Sequence, residues 1–224
     1  MGRTSVLLLC TLVLLSTAVH FTATAPANGS VLVFDTEIEN TVFQFYVDVF
    51  KYIHHSVRCS SAFLERVLQD EVIAQNDNMD QDKVAFQEYI QEAHERSKPL
   101  PKNITALDGF LHIVAAIHTF NVFEDILQRY NTTALNAPTN EVVLIEAALK
   151  RNGLDALISD LKTKKMEFIN KFLRNMSICV ANLSEEDRLK DWKVVEWYQS
   201  YSKKSDEERA NDVFTLFSSR FGRF

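Results

Sequence analysis

Residues 154–175 read LDALISDLKTKKMEFINKFLRN. Leu154, Leu157, Ile158, Leu161, Phe168, Phe172 and, just beyond, Met176 recur at helical spacing, with charged and polar residues between them. A strand would require alternation, which is missing, so the stretch predicts an amphipathic helix with one buried face. The same period governs nearly the whole chain. Upstream, residues 35–57 place Ile38, Val42, Phe45, Val49 and Ile53 on one stripe, and Phe43, Tyr46 and Phe50 cover much of the opposite side. That helix is expected to be largely buried.

The other elements follow by working outward. Phe63, Leu64, Val67, Leu68 and Val72 form a second stretch, which Ser60 or Ser61 would start or bend and Asn76-Asp77-Asn78 would break. Asp80 or Asp82 is expected to cap a third helix carrying Phe86, Tyr89, Ile90 and Ala93, ended by Pro99 and Pro101. Residues 106–130 form a fourth. Its 109–123 segment carries no formal charge, which predicts a central buried helix. Thr139 as N-cap opens a fifth, and Asn152-Gly153 stops it. The quoted helix is the sixth. Ser184 and Ser205, each followed by acidic residues, open a seventh with Leu189, Trp192, Val195 and Tyr198, and an eighth running through Phe214, Phe217 and Phe221. The predicted fold is all-α: a single bundle of about seven or eight helices over residues 26–224.

The first 25 residues predict a different fate. Met1-Gly2-Arg3 is a short basic start, residues 5–16 are uncharged and Leu-rich, and small residues follow at Ala18 and at Ala23-Thr24-Ala25. This is the order of a cleaved signal peptide, with cleavage after Ala18 or Ala25, and its apolar core is too short to span a bilayer. No other apolar run approaches the roughly 20 residues of a membrane helix. The expected compartment is extracellular. Removing Arg3 takes the formal charge from −6 to −7, and this acidity argues against nucleic acid as a partner.

Five sequons fit that route, with their asparagines at Asn28, Asn103, Asn131, Asn175 and Asn182. Each falls between predicted helices or at a helix end, where a glycan is tolerated. Asn103, just behind two prolines, is the safest. Cys10 leaves with the signal peptide, so the mature chain holds Cys59 and Cys179. In an oxidising compartment one intrachain disulfide is the simplest expectation, beside an intermolecular bridge or two buried thiols. The closed loop of about 120 residues would contribute on the order of 4 kcal/mol in the chain-entropy model.

Motifs for chemistry are missing. The chain has no G-x-S-x-G, H-E-x-x-H, P-loop or G-x-G-x-x-G, and only 5 glycines from which to build a phosphate cradle. The 76–82 run lacks the glycine and closing glutamate of a calcium-binding EF-hand loop. His55 and Cys59 have zinc spacing but no second ligand cluster in sequence, so no metal and no cofactor is expected. Lys162, Lys164, Lys165, Lys171 and Arg174 enrich one helix in charge that a solvated face explains. The closing Arg220-Phe221-Gly222-Arg223 resembles an amidation signal, but Phe221 suits the last apolar stripe better.

The mature chain resembles the small all-helical secreted glycoproteins of insects, of salivary, haemolymph or reproductive-tract type. The resemblance rests on the signal peptide, the Phe-rich helices and the Cys59/Cys179 pair. It implies an extracellular role and carries over no functional residue. Insect odorant-binding proteins share the helix content but use more bridges. Two functions remain. The first is a non-enzymatic interaction or effector protein that binds an extracellular protein or cell-surface receptor. The second is a carrier of a lipid or hormone, in an apolar pocket bordered by Phe110, Val114, Ile117 and Phe120. A filled core at those residues favours the first, because aromatic stripes at helical spacing are more often core.

Overall fold

The structure, a computed structural model, describes residues 37–98 and 106–212. The expected signal segment (residues 1–25), Asn28, Asn103, Pro99, Pro101 and residues 213–224 lie outside the described residues. The protein is all-helical, with no strand among those residues. In chain order the helices are α1 (Glu37–Leu68), α2 (Glu71–Ala74), α3 (Asp80–Arg96), α4 (Ala106–Arg129), α5 (Asn140–Arg151), α6 (Leu154–Asn182), α7 (Glu185–Lys190), α8 (Trp192–Tyr201) and α9 (Asp206–Asp212). Short 3-10 turns occupy Asp77–Met79 and Thr132–Ala134. By its contacts the chain divides into two compact units: Met1–Val49, Thr105–Phe110 and Lys164–Phe224 form unit 1, and Phe50–Ile104 and Leu111–Thr163 form unit 2.

Helix α1 is one element where two stretches were expected. Ser60 does not break it. Its hydroxyl donates to the carbonyls of Ser56 at 2.7 Å and Val57 at 3.0 Å, so it satisfies itself inside the helix. Ile38, Val42, Phe45, Val49 and Ile53 form the predicted buried stripe, but Phe43 and Phe50 remain half-exposed. In unit 1, Phe45 packs on Phe168 and Phe172 with ring centroids 5.8 and 4.4 Å apart, and Phe172 meets Trp197 at 6.0 Å. In unit 2, Phe63 and Tyr89 both meet Phe123, at 6.2 and 5.7 Å.

Several ends differ from expectation for local reasons. Helix α3 begins at Asp80 behind Met79, which makes no side-chain cap; Asn76 caps the preceding 3-10 turn instead. Thr139 caps α5 as predicted, and Gly153 follows with φ 95°, a left-handed conformation that a side chain would strain. Helix α6 continues to Asn182, beyond the predicted stop at Asn175. Asn175 is therefore on an exposed helix face and not at the helix end. The expected seventh helix is split at Asp191 into α7 and α8, which turns Leu189 and Trp192 outward while Val194 and Val195 are buried. Ser205 and Glu208 form the reciprocal capping box of α9: the Ser205 amide donates to Glu208 Oε2 at 2.8 Å, and the Glu208 amide donates to Ser205 Oγ at 3.3 Å.

Helix α4, despite its charge-free 109–123 segment, is not buried all round. Among its described side chains one stripe goes inside, Ala116, Thr119, Phe123, Ile126 and Tyr130 just past its end, whereas Leu111 is exposed. Absence of charge predicted burial too broadly. A helix needs only about a third of its circumference apolar to seat on a neighbour.

Candidate functional site

The chemistry-bearing side chains of unit 2 gather where α1 meets α6. His55 and Cys59 stand one helical turn apart on α1 and so share a face. Asp160, in the second turn of α6, reaches them across 105 residues of chain, its Oδ2 lying 2.9 Å from His55 Nε2. Cys59 Sγ lies 3.6 Å from His55 Nε2 and 3.8 Å from Nδ1. One ligand atom from each residue, nitrogen, sulfur and oxygen, falls within 4.8 Å of the other two. Burial holds the Cys59 thiol above its ordinary pKa, the Asp160 charge adds to this, and Arg58 and Arg66 oppose it.

That electrostatic setting bears on what the cluster can do. A nucleophilic cysteine needs a lowered pKa and a base aligned with its S–H. Here the thiol is pushed the other way. Sγ is nearly equidistant from both ring nitrogens and points along neither. The arrangement is poor for thiolate attack. It is a set of three metal-ligand atoms of the kinds zinc takes.

The Cys59–Cys179 bridge is not formed: both are free cysteines. Each thiol is engaged within its own unit, Cys59 by His55, and Cys179 by a hydrogen bond with the Thr41 side chain. Of the pocket residues, Val114, Ile117 and Phe120 lie half-buried on α4, with Phe120 edge-on to Tyr52 at 6.1 Å, and the Phe110 side chain lies outside the described residues. Two open clefts, of about 530 and 480 Å³, have other linings. One is bordered by Glu71, Gln75 and Asn76 among others, the second by Leu68, Ile90 and His94 among others. In the lysine-rich stretch, Lys164 pairs with Glu167 and Lys171 with Asp48, so part of its charge is neutralised. Asn131, Asn175 and Asn182 are all exposed. The Asn131 carboxamide oxygen accepts from the Thr133 amide at 3.2 Å and the Thr133 hydroxyl at 2.6 Å.

The residue that sequence reasoning missed is Asp160. It sits in the stretch quoted at the outset but looks like any polar residue on an amphipath, and nothing local ties it to His55. No helix among the described residues is long and apolar enough to cross a membrane. Comparison with protein-family models, curated proteins and solved structures finds no match.

Proposed function

We propose that the protein is exported, N-glycosylated, and acts outside the cell as a non-enzymatic interaction protein that binds another protein or a cell surface. The observation that carries this reading is the exposure of Leu189, 75%, and Trp192, 53%. The two lie either side of the α7–α8 break, and the Lys193 ammonium sits 5.7 Å from the centre of the Trp192 ring. Arg188 donates to the Val180 carbonyl at 2.9 Å, which ties α7 to the end of α6 and gives the corner a fixed shape. Tryptophan is enriched among the residues that dominate protein interfaces. Ile178 is also exposed nearby, but Asn182 lies one turn beyond it, so a glycan there would cover it. The export reading rests on the first 25 residues and on the three exposed sequon asparagines.

The test uses protein secreted by a eukaryotic cell line. Enzymatic deglycosylation should lower its mass by several glycan units, and Asn131→Gln should remove one of them. An unchanged mass would end the glycoprotein reading. The double variant Leu189→Ser/Trp192→Ala should keep its helix content and stability within about 0.5 kcal/mol, as surface changes do. Saturable binding of the labelled protein to cells should weaken at least about tenfold in that variant, the loss expected for one anchoring aromatic residue. Equal binding by variant and parent would remove this corner from the interface.

A second reading, carriage of a lipid or hormone, is favoured by α4, where Leu111 is exposed and Val114, Ile117 and Phe120 are half-buried along the same helix. Native mass spectrometry and lipid extraction of the secreted protein separate the two readings. A co-purifying apolar ligand would put the carrier first.

A further inference from the structure

The geometry points to a mononuclear divalent-metal site of zinc type in unit 2, held by His55 Nε2, Cys59 Sγ and Asp160 Oδ2. Imidazole, thiolate and carboxylate are the three side-chain classes zinc takes, with Zn–N about 2.0–2.1 Å, Zn–S about 2.3 Å and Zn–O about 2.0–2.2 Å. At tetrahedral angles those bond lengths require N···S near about 3.6 Å and N···O near about 3.3 Å. The structure has 3.6 and 2.9 Å. The N···S separation thus matches what a metal imposes, N···O is shorter by a few tenths of an ångström, and Sγ and Oδ2 lie within 4.8 Å of each other.

One adjustment closes the site. Sγ lies 3.6 Å from Nε2 and 3.8 Å from Nδ1, off the line of the Nε2 lone pair. A small rotation about Cys59 χ1, or of the imidazole ring, brings it into the coordination sphere. The surroundings leave room for this, since the His55 side chain is 27% exposed and that of Asp160 46%. Binding is a proton exchange: the Cys59 thiol gives up its proton to solvent and sulfur forms the bond to the metal, while the proton shared between His55 Nε2 and Asp160 Oδ2 leaves for Nδ1 or solvent, so that both atoms turn a lone pair to the metal. Three protein ligands beside solvent leave the fourth position to water, the arrangement of an open site rather than a closed structural one. The metal would join α1 to α6 within unit 2.

Other clusters carry less. Asp80 is engaged by Lys83, Asp82 is held by Tyr130, and the 76–78 loop has only its own caps.

The test titrates the purified full-length protein with Co2+, then displaces it with Zn2+. The expected result is about one Co2+ per chain, with a thiolate-to-cobalt charge-transfer band and the intense visible bands of a tetrahedral ion. Cys59→Ser should abolish the charge-transfer band. His55→Ala and Asp160→Asn should each weaken binding at least about tenfold, since loss of a direct ligand costs no less than loss of its outer-shell partner. Asp160→His, which offers another zinc ligand, should restore binding. Far-UV circular dichroism checks that each variant is folded. His94→Ala, which alters the histidine paired with Glu65, should change nothing. The assignment is overturned by a missing charge-transfer band, by a band unaltered in Asp160→Asn, or by peptide mapping that finds Cys59 in a disulfide.

Discussion

Replacing Phe123 with alanine is expected to destabilise the protein by about 3–5 kcal/mol, the range for removing a fully buried phenylalanine. Phe123 is 1% exposed and lies between Phe63 of α1 and Tyr89 of α3, themselves 0% and 3% exposed. Its ring stands nearly perpendicular to Phe63, at 83°, and is tilted 36° to Tyr89. Truncation therefore empties the meeting point of three helices, and none of the three can close it alone. The cavity would also loosen the buried hydrogen bond between Ser60 and the Tyr89 hydroxyl, whose pKa burial has already raised. Burying a polar pair is tolerable only while the pair stays made. Phe123→Leu keeps most of the volume and should cost about 1–2 kcal/mol. Urea unfolding followed by circular dichroism measures both. Trp192 and Trp197 belong to unit 1, so a fluorescence transition taken beside it tells whether the loss in unit 2 is felt there. A loss below about 1 kcal/mol for Phe123→Ala would mean that the site collapses and that this packing is not central.

Residues of this kind were legible in the sequence because their positions follow the helical period. The stripe Ile38 to Ile53 was predicted and is buried, as are Leu157, Leu161, Phe168, Phe172 and Met176, whereas Ile158, predicted with them, is exposed; Thr139, Ser205 and Gly153 act at the ends where their chemistry placed them. What the sequence obscured has physical causes. Ser60 hydrogen-bonds backward within α1, so a residue that favours helix ends did not make one. Asn175 was expected at the end of its helix, yet the helix runs on through Met176, Cys179 and Val180, which keep its face apolar. The break at Asp191 rotates the stripe by leaving one residue between two helices, and this exposes a tryptophan that periodicity had put inside. The candidate site was half visible. His55 and Cys59 stood out by their spacing, whereas Asp160 joins them only through the tertiary approach of α6 to α1, which no local pattern encodes.

The same principle, a carboxylate whose role depends on distant partners, makes Asp70 the second strong target. Asp70 caps α2 by accepting from the Val72 amide at 3.1 Å, takes Arg151 Nη2 at 2.8 Å on the same oxygen, and receives Asn152 Nδ2 at 2.9 Å on the other. One side chain thus joins the end of α1 and the start of α2 to the C-terminus of α5, where α2 packs. Its side chain is only 10% exposed, so the hydrogen bonds are shielded from competing water. Asp70→Ala is expected to cost about 2–3 kcal/mol, combining a lost N-cap with a lost charge-assisted bond. Asp70→Asn keeps a capping oxygen and should cost about 1 kcal/mol. The pH dependence has a definite sign. The Arg151 hydrogen bond, first among the causes, holds the Asp70 carboxyl below its ordinary value. A depressed folded-state pKa contributes stability that is complete above the unfolded value, about 3.9, and fades as pH falls through the folded one. Parent and Asp70→Asn should therefore differ most at neutral pH and converge in acid as the pH falls through the lowered folded-state value. Urea midpoints across that range measure it, and a constant gap between the two proteins would show that Asp70 acts through shape and not through its charge.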